Sequence, residues 1–280
     1  MSSIGRFLPF IGDAAGLFQI RDIAAEIVNR QDEEKVLEDI AAEATPIGTP
    51  NAPSLIFSLL EGNDLVIIGG LLNRPAFYLA AKPAIGTIED LKGTKIGINQ
   101  PRRMAGMVML ALLRKWGLST ASDLTLVDLG VNDRSLEALR AKQIDAALLP
   151  PEKAFLAEAE GFRLVGDSRE LDCHWVPLVT TRRFLRANRE LVKNIASIYI
   201  ESILVFKSRP EEARAEIARR LPSLAAKPDA IAKCYELFSE SFEPALIPSP
   251  TSVQSILDEV ALQDQRARAI TPASLIENVL

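Results

Sequence analysis

Apolar positions fall into two successive regimes along the chain. Through roughly the first two-thirds, short runs rich in β-branched residues alternate with stretches of helical periodicity, as strands joined by crossover helices do. The runs predict strands at residues 23–28, 65–69, 77–81, 95–98, 125–129, 146–149, 163–165 and 175–180. Between them the spacing predicts helices over 33–43, 52–60, 105–116, 133–141 and 151–160. From Asn188 onward the pattern is helical only, over 188–207, 210–221, 228–242 and 251–263. Asn188, Pro210, Pro228 and Thr251 each suit the start of a helix. The pattern therefore predicts an α/β fold with a helical tail wrapped around it, and no repeat or charge block interrupts it.

Composition narrows the function. The chain has 280 residues, 48% hydrophobic and 25% charged, enough for one large core or two modest ones. Its net charge of −5 gives no drive toward phosphate backbones, so a nucleic-acid partner is not expected. Apolar stretches such as 65–72 fall far short of the roughly 20 residues of a membrane-spanning helix, so no membrane insertion is expected. Residues 1–11 carry one arginine and lack the three-part pattern of a secretory signal. The expected location is periplasmic or cell-surface if a signal has been removed, and cytoplasmic otherwise. Cys173 and Cys234 are too few for a disulfide framework and have no CxxC spacing, which reads as two buried thiols; whether they pair stays open.

Three pieces of sequence carry a family resemblance. One is the apolar strand that follows Leu60-Glu61-Gly62-Asn63-Asp64. The second is Ile88-Glu89-Asp90-Leu91-Lys92-Gly93 before a strand ending Ile96-Gly97-Ile98, and the third is LEALRAKQIDAA, residues 136–147. In this order they resemble type II periplasmic binding proteins, in particular the nitrate, sulfonate and taurine group with relatives that bind pyrimidine precursors of thiamine. Residues 179–185 followed by Asn188 look like the family's return into its first lobe, and the resemblance covers roughly residues 48–259. Lys142-Gln143 stands at a turn where glycine is more usual. Gly16-Leu17-Phe18 comes early, so that either the family's first strand is missing or residues 6–10 are a shortened version of it.

The resemblance implies two lobes, residues 1–74 plus 177–280 and residues 75–176, each built on a mainly parallel sheet, with a ligand cleft between them. The chain is expected to cross between lobes around 71–76 and again around 171–176. Ligands of such sheets sit outside the carboxyl ends of strands, where loops enter helices. After the strand at 95–98, Gln100, Pro101, Arg102, Arg103 and Met104 lead into a helix whose free N–H groups attract an anion; the alternative is a solvated helix start. Thr49, Asn51 and Asn132 occupy similar loops, as ligand donors or as ordinary caps. Asn73 and Arg74 at the first crossing, His174 and Trp175 at the second, Pro151 near the hinge side and Asp13 in the early loop complete the candidate set.

A small molecule bound without chemistry and delivered to an ABC transporter permease by a monomer is the leading expectation. No cofactor or metal is called for, since one histidine and two distant cysteines offer no ligand spacing. Cys173 and His174 are adjacent on an extended segment and point to opposite faces, which disfavours a nucleophilic pair. No P-loop, nucleophile elbow or dinucleotide fingerprint occurs in the sequence. The alternatives are a non-transport homologue on the same fold: an enzyme resembling desulfinases or pyrimidine-precursor synthases, or a cytoplasmic ligand sensor.

Overall fold

The computed structural model describes residues 3–30, 32–130 and 134–280. Its strands form two sheets, each drawn from a different part of the sequence. The first contains β1 (Ile47–Gly48), β2 (Leu65–Leu72) and β8 (Val176–Thr181) in the order β1-β8-β2. The second contains β3 (Tyr78–Ala81), β4 (Lys95–Ile98), β5 (Thr125–Asp128), β6 (Ala146–Leu149) and β7 (Arg163–Asp167) in the order β5-β4-β6-β3-β7. Strand β2 is buried along its whole length, which is why its sequence, LVIIGGLL, runs apolar without alternation.

Parallel pairing is narrower than expected. Only β4 with β5 and β4 with β6 run parallel, whereas β3 pairs antiparallel with β6 and β7, and β8 pairs antiparallel with β1 and β2. The reason is topological. Each antiparallel pair includes a strand that begins or ends a passage between the sheets, and such a strand enters against the direction set by the crossover helices.

Helices α1 (Leu8–Ala14), α2 (Glu33–Ala41) and α3 (Ala52–Leu60) belong to the first part of the chain. Helices α4 (Met104–Lys115), α5 (Ser135–Arg140) and α6 (Pro151–Ala159) connect the strands of the second sheet. The tail contains α7 (Arg182–Ala187), α8 (Arg189–Ser208), α9 (Pro210–Arg220), α10 (Pro228–Ser241), α11 (Pro250–Ala261) and α12 (Pro272–Leu275). In α8 the buried positions Val192, Ala196, Tyr199, Ile203 and Phe206 recur every three or four residues, the stripe of a helix laid on a core. The tail reaches the helices of the second sheet: Lys233 on α10 pairs with Glu158 on α6, and Arg114 on α4 pairs with Glu259 on α11. Buried side chains run continuously from the first sheet to the second.

Several sequence expectations need correction. Residues 23–28 form no strand; their backbone is irregular, because no neighbouring strand offers them a ladder. Residues 6–10 are helical rather than a short strand, with Pro9 in the first turn of α1. The chain breaks at Asn188, so α7 precedes the long helix that was expected alone. The two-residue β1 and the bridge between Ile276 and Ile67 were too short to leave a periodic signal. Among the described residues, no helix is long and apolar enough to cross a membrane.

Candidate functional site

Between the sheets the chain passes twice, through residues 73–77 and 168–175, and the two passages are laced together. Trp175 N donates to Leu72 O at 3.0 Å, Ser168 N to Phe77 O at 2.9 Å, and Phe77 N to Ser168 Oγ at 2.7 Å. Asn73, half-buried, ties three segments: its Oδ1 accepts from Ser249 N at 2.9 Å and lies 3.0 Å from His174 Nδ1, while its Nδ2 donates to Ile247 O at 2.9 Å. An amide oxygen only accepts, so His174 carries its proton on Nδ1. The ring is wholly buried, and desolvation lowers its pKa to about 4, so it is neutral at pH 7. Its Nε2 is buried and has no hydrogen-bond partner among the described residues.

The neighbours of His174 are structural in placement. Trp175 is 3% exposed and packs against Phe77 and Phe238, with ring centroids 4.9 and 6.4 Å away. Cys173 is buried, and burial pushes its thiol up to about 12; burial likewise raises Cys234. Neither thiol is poised as a nucleophile. Arg74 is exposed and faces Asp172 at 3.8 Å.

The N-termini of α3 and α4 are linked by side-chain contacts between the stretches of chain that carry the two sheets, and they differ in how their N–H groups are used. At α3, Asn51 N donates to Glu33 Oε2 at 2.9 Å and Ala52 N donates to Trp175 O at 3.1 Å. Glu33 is 6% exposed and also holds Arg6, so this anion seat is already filled by the chain's own carboxylate. At α4 the cap residue is Arg103, with extended backbone and no side-chain cap bond, which leaves the first-turn N–H groups for a ligand or water. The loop before α4 reaches over to the first half. Arg102 stacks on Phe57 of α3, 4.0 Å from the ring centroid; Arg103 Nη2 meets Glu34 Oε1 of α2 at 3.3 Å; Gln263 Nε2 donates to Pro101 O at 2.9 Å.

The structure thus brings Asn51, Arg102, Arg103 and Met104 to one seam, with Met104 buried as the first residue of α4. Gln100 is exposed in the same loop, and its carbonyl accepts from Arg103 N at 2.9 Å. Thr49 is half-buried and lines a separate cavity beside β1. Pro151 opens α6 and is buried there. Asp13 lies exposed on α1, where it accepts from Gln19 Nε2 at 3.4 Å, and is not drawn into the seam. Asn132 lies outside the described residues.

Sequence reading missed Glu33, Glu34, Phe57 and Gly106. The glutamates look like ordinary first-turn acids of α2, and nothing local signals partners 18 and 69 positions away. Phe57 looks like one more apolar residue of α3. Gly106 did leave a signal, a glycine inside a helix. A Cβ there would stand 2.3 Å from Gln100 O and 2.5 Å from Asn99 O, so its absence lets α4 and the arginine loop close up.

The family model described as NMT1/THI5 like matches residues 8–213. The periplasmic aliphatic sulphonate binding protein SsuA from Escherichia coli superposes with a TM-score of 0.82 at 18% identity, over 99% of this chain and 90% of that one. The alkanesulfonate-binding protein SsuA from Xanthomonas axonopodis pv. citri, bound to MOPS, gives 0.73 at 19% identity, over 98% and 92%. A cysteine-to-serine mutant of DszB in complex with biphenyl-2-sulfinic acid gives 0.69 at 12% identity, over 97% and 91%. No curated protein matches the sequence.

Proposed function

The chain belongs to the NMT1/THI5-like family, and from that premise we propose that it is a solute-binding protein that captures a small anion and performs no reaction on it. Residues 1–74 with 177–280 act as one lobe and 75–176 as the other. The two laced passages serve as the hinge. The ligand is of the sulfonate or carboxylate class, and its head group sits at the uncapped start of α4, flanked by Arg102 and Arg103. Closure is driven by the ligand's greater affinity for the form in which both halves touch it. The closed form is then offered to the permease of an ABC importer.

The carrying observation is the asymmetry of the two helix starts. One is satisfied internally by Glu33 and the Trp175 carbonyl; the other is uncapped and carries two arginines that already reach the opposite half. The fold shared with sulfonate-binding proteins supports the same ligand class. The fold also occurs in DszB, but a thiol-based reaction here finds both described cysteines buried and held protonated. The test is thermal unfolding against alkanesulfonates, taurine, nitrate, small carboxylates and pyrimidines, with each compound recovered and assayed for change. An anion that stabilises the protein and returns intact is the expected result. Stabilisation by none of the anions, or turnover of one, refutes the reading.

A further inference from the structure

Strands β4 and β5 are parallel neighbours, with Ile98 opposite Asp128, and Leu129 N donates to Ile98 O at 2.9 Å. The chain that leaves β4 begins with Asn99, and α5, the helix after β5, opens with Ser135. Outside the carboxyl ends of these two strands, where open sheets of this kind hold ligands, the two side chains meet: Ser135 Oγ donates to Asn99 Oδ1 at 3.3 Å. Ser135 is 2% exposed, and α5 takes no side-chain cap bond, so this buried hydroxyl is committed to Asn99 rather than to its own helix.

That bond fixes which way the amide faces. An asparagine side chain is a planar fork, with an acceptor oxygen on one prong and two N–H donors on the other. With Oδ1 turned to Ser135, Nδ2 is turned away from it. Asn99 is half-buried, and among the described residues its Nδ2 has no hydrogen-bond partner. Its backbone lies against the first turn of α4, since a Cβ on Gly106 of that turn would stand 2.5 Å from Asn99 O. Granted the anion seat at the start of α4, on which this rests, we infer that Asn99 is a further ligand contact, donating an N–H to an oxygen of the bound head group. Ser135 is the positioning residue that holds the amide in that sense. The two kinds of donor divide the work. Arg102 and Arg103 attract any anion, whereas the amide adds no charge and presents only donors. It favours a lone-pair oxygen, as sulfonate and carboxylate supply, and a group that carries only N–H donors, such as an ammonium, finds no partner there.

Ethanesulfonate and propionate are titrated at fixed ionic strength against the parent chain, Asn99→Ala, Asn99→Asp, Ser135→Ala and the double alanine variant, with each fold checked by circular dichroism. Loss of a hydrogen bond to a charged group should make Asn99→Ala bind about tenfold more weakly. Asn99→Asp keeps an acceptor for Ser135 but puts a second, charged oxygen where the donors were, and should weaken binding by about a further tenfold or more. Ser135→Ala is expected to cost about threefold to fivefold in the parent background and less than about twofold when Asn99 is already alanine, because it acts through the amide. Binding by the parent with unchanged affinity in Asn99→Ala overturns the contact and leaves the anion seat standing. Equal losses from Ser135→Ala in both backgrounds overturn its positioning role. Binding of neither probe by the parent overturns the seat, and this contact with it.

Discussion

His174 Nδ1 lies 3.0 Å from Asn73 Oδ1, and this contact joins the two passages by which the chain travels between its sheets. Both residues were expected to line a cleft. Instead Asn73 is engaged with Ser249, Ile247 and His174, and the imidazole is fully buried, so the pair fastens the passages to the loop before α11. In the proposed hinge these bonds hold the two passages together as one unit, each contributing about 0.5–1.5 kcal/mol.

The same burial makes His174 a source of acid lability. Its pKa is about 4 in the folded protein against 6.5 ordinarily, so the unfolded chain binds the extra proton between those values. The stabilisation is complete above pH 6.5 and is lost as pH falls toward 4, a change of about 3 kcal/mol. His174→Asn keeps an N–H for Asn73 and removes the titration, so its stability, though lower at pH 7, falls less across that window. Urea denaturation at pH 7.0 and about 4.5 compares the two slopes; identical slopes refute the assignment. Carboxylates held low by their partners, such as Asp39 by Lys35 and Glu43 by Arg183, are present in both proteins and cancel in the comparison of slopes.

Replacing Arg102 and Arg103 together by alanine removes both cations beside the start of α4. A sulfonate at about 100 times its dissociation constant stabilises a protein by about 2.7 kcal/mol, and in the double variant that gain is expected to vanish. Arg102 is exposed but stacks on Phe57, and the Arg103 side chain is 22% exposed against Glu34, so the ligand-free protein should lose about 1–2 kcal/mol with these two contacts. A thermal shift unchanged from the parent would remove the anion site from α4.

Glu34→Gln is the opposite experiment. The Glu34 side chain is 78% exposed and meets Arg103 at 3.3 Å, so it competes with an incoming anion while adding little to stability. Neutralising it should tighten sulfonate binding several-fold, about 1 kcal/mol, with unfolding unchanged. Titration calorimetry decides, and weaker or equal binding counts against the seam as the site.

The two thiols should be silent in the native protein. Cys173 and Cys234 are buried and held protonated, so an aromatic disulfide reagent should label neither until denaturant is added. Rapid labelling of Cys173 under native conditions would reopen the enzyme reading.

The sequence made the elements legible wherever a run buried one consistent face. Strands β4 and β6 and helix α3 fall at their expected bounds, since a four-residue apolar run or a helical turn opened by proline is a local property. Residues 23–28 show the opposite: their β-branched pattern expresses a preference for pairing, but pairing needs a second backbone that the described chain does not place there. At the seam, Arg102 and Arg103 were visible because a loop that leads from a strand into a helix has a fixed chemical meaning. Their counterparts Glu34 and Phe57 were not, because each contact joins positions far apart in sequence whose meeting is set by packing.

Gly106→Ala separates local preference from tertiary contact most sharply. In an exposed helix interior, alanine is favoured over glycine by about 1 kcal/mol, so propensity alone forecasts a more stable protein. At this position the added methyl carbon would lie 2.3 Å from Gln100 O and 2.5 Å from Asn99 O, well inside contact distance. Both obstacles are backbone atoms, and α4 itself is anchored by buried Met107, Val108 and Leu112, so the strain must be taken up by the loop that carries Arg102 and Arg103. The variant is expected to lose about 1–3 kcal/mol of stability, typical of overpacking, and to bind the sulfonate more weakly because the arginines shift with the loop. Urea denaturation and titration on the same sample read both effects. A gain in stability would mean that the loop gives way freely, and that the close approach of α4 to it does not position the site.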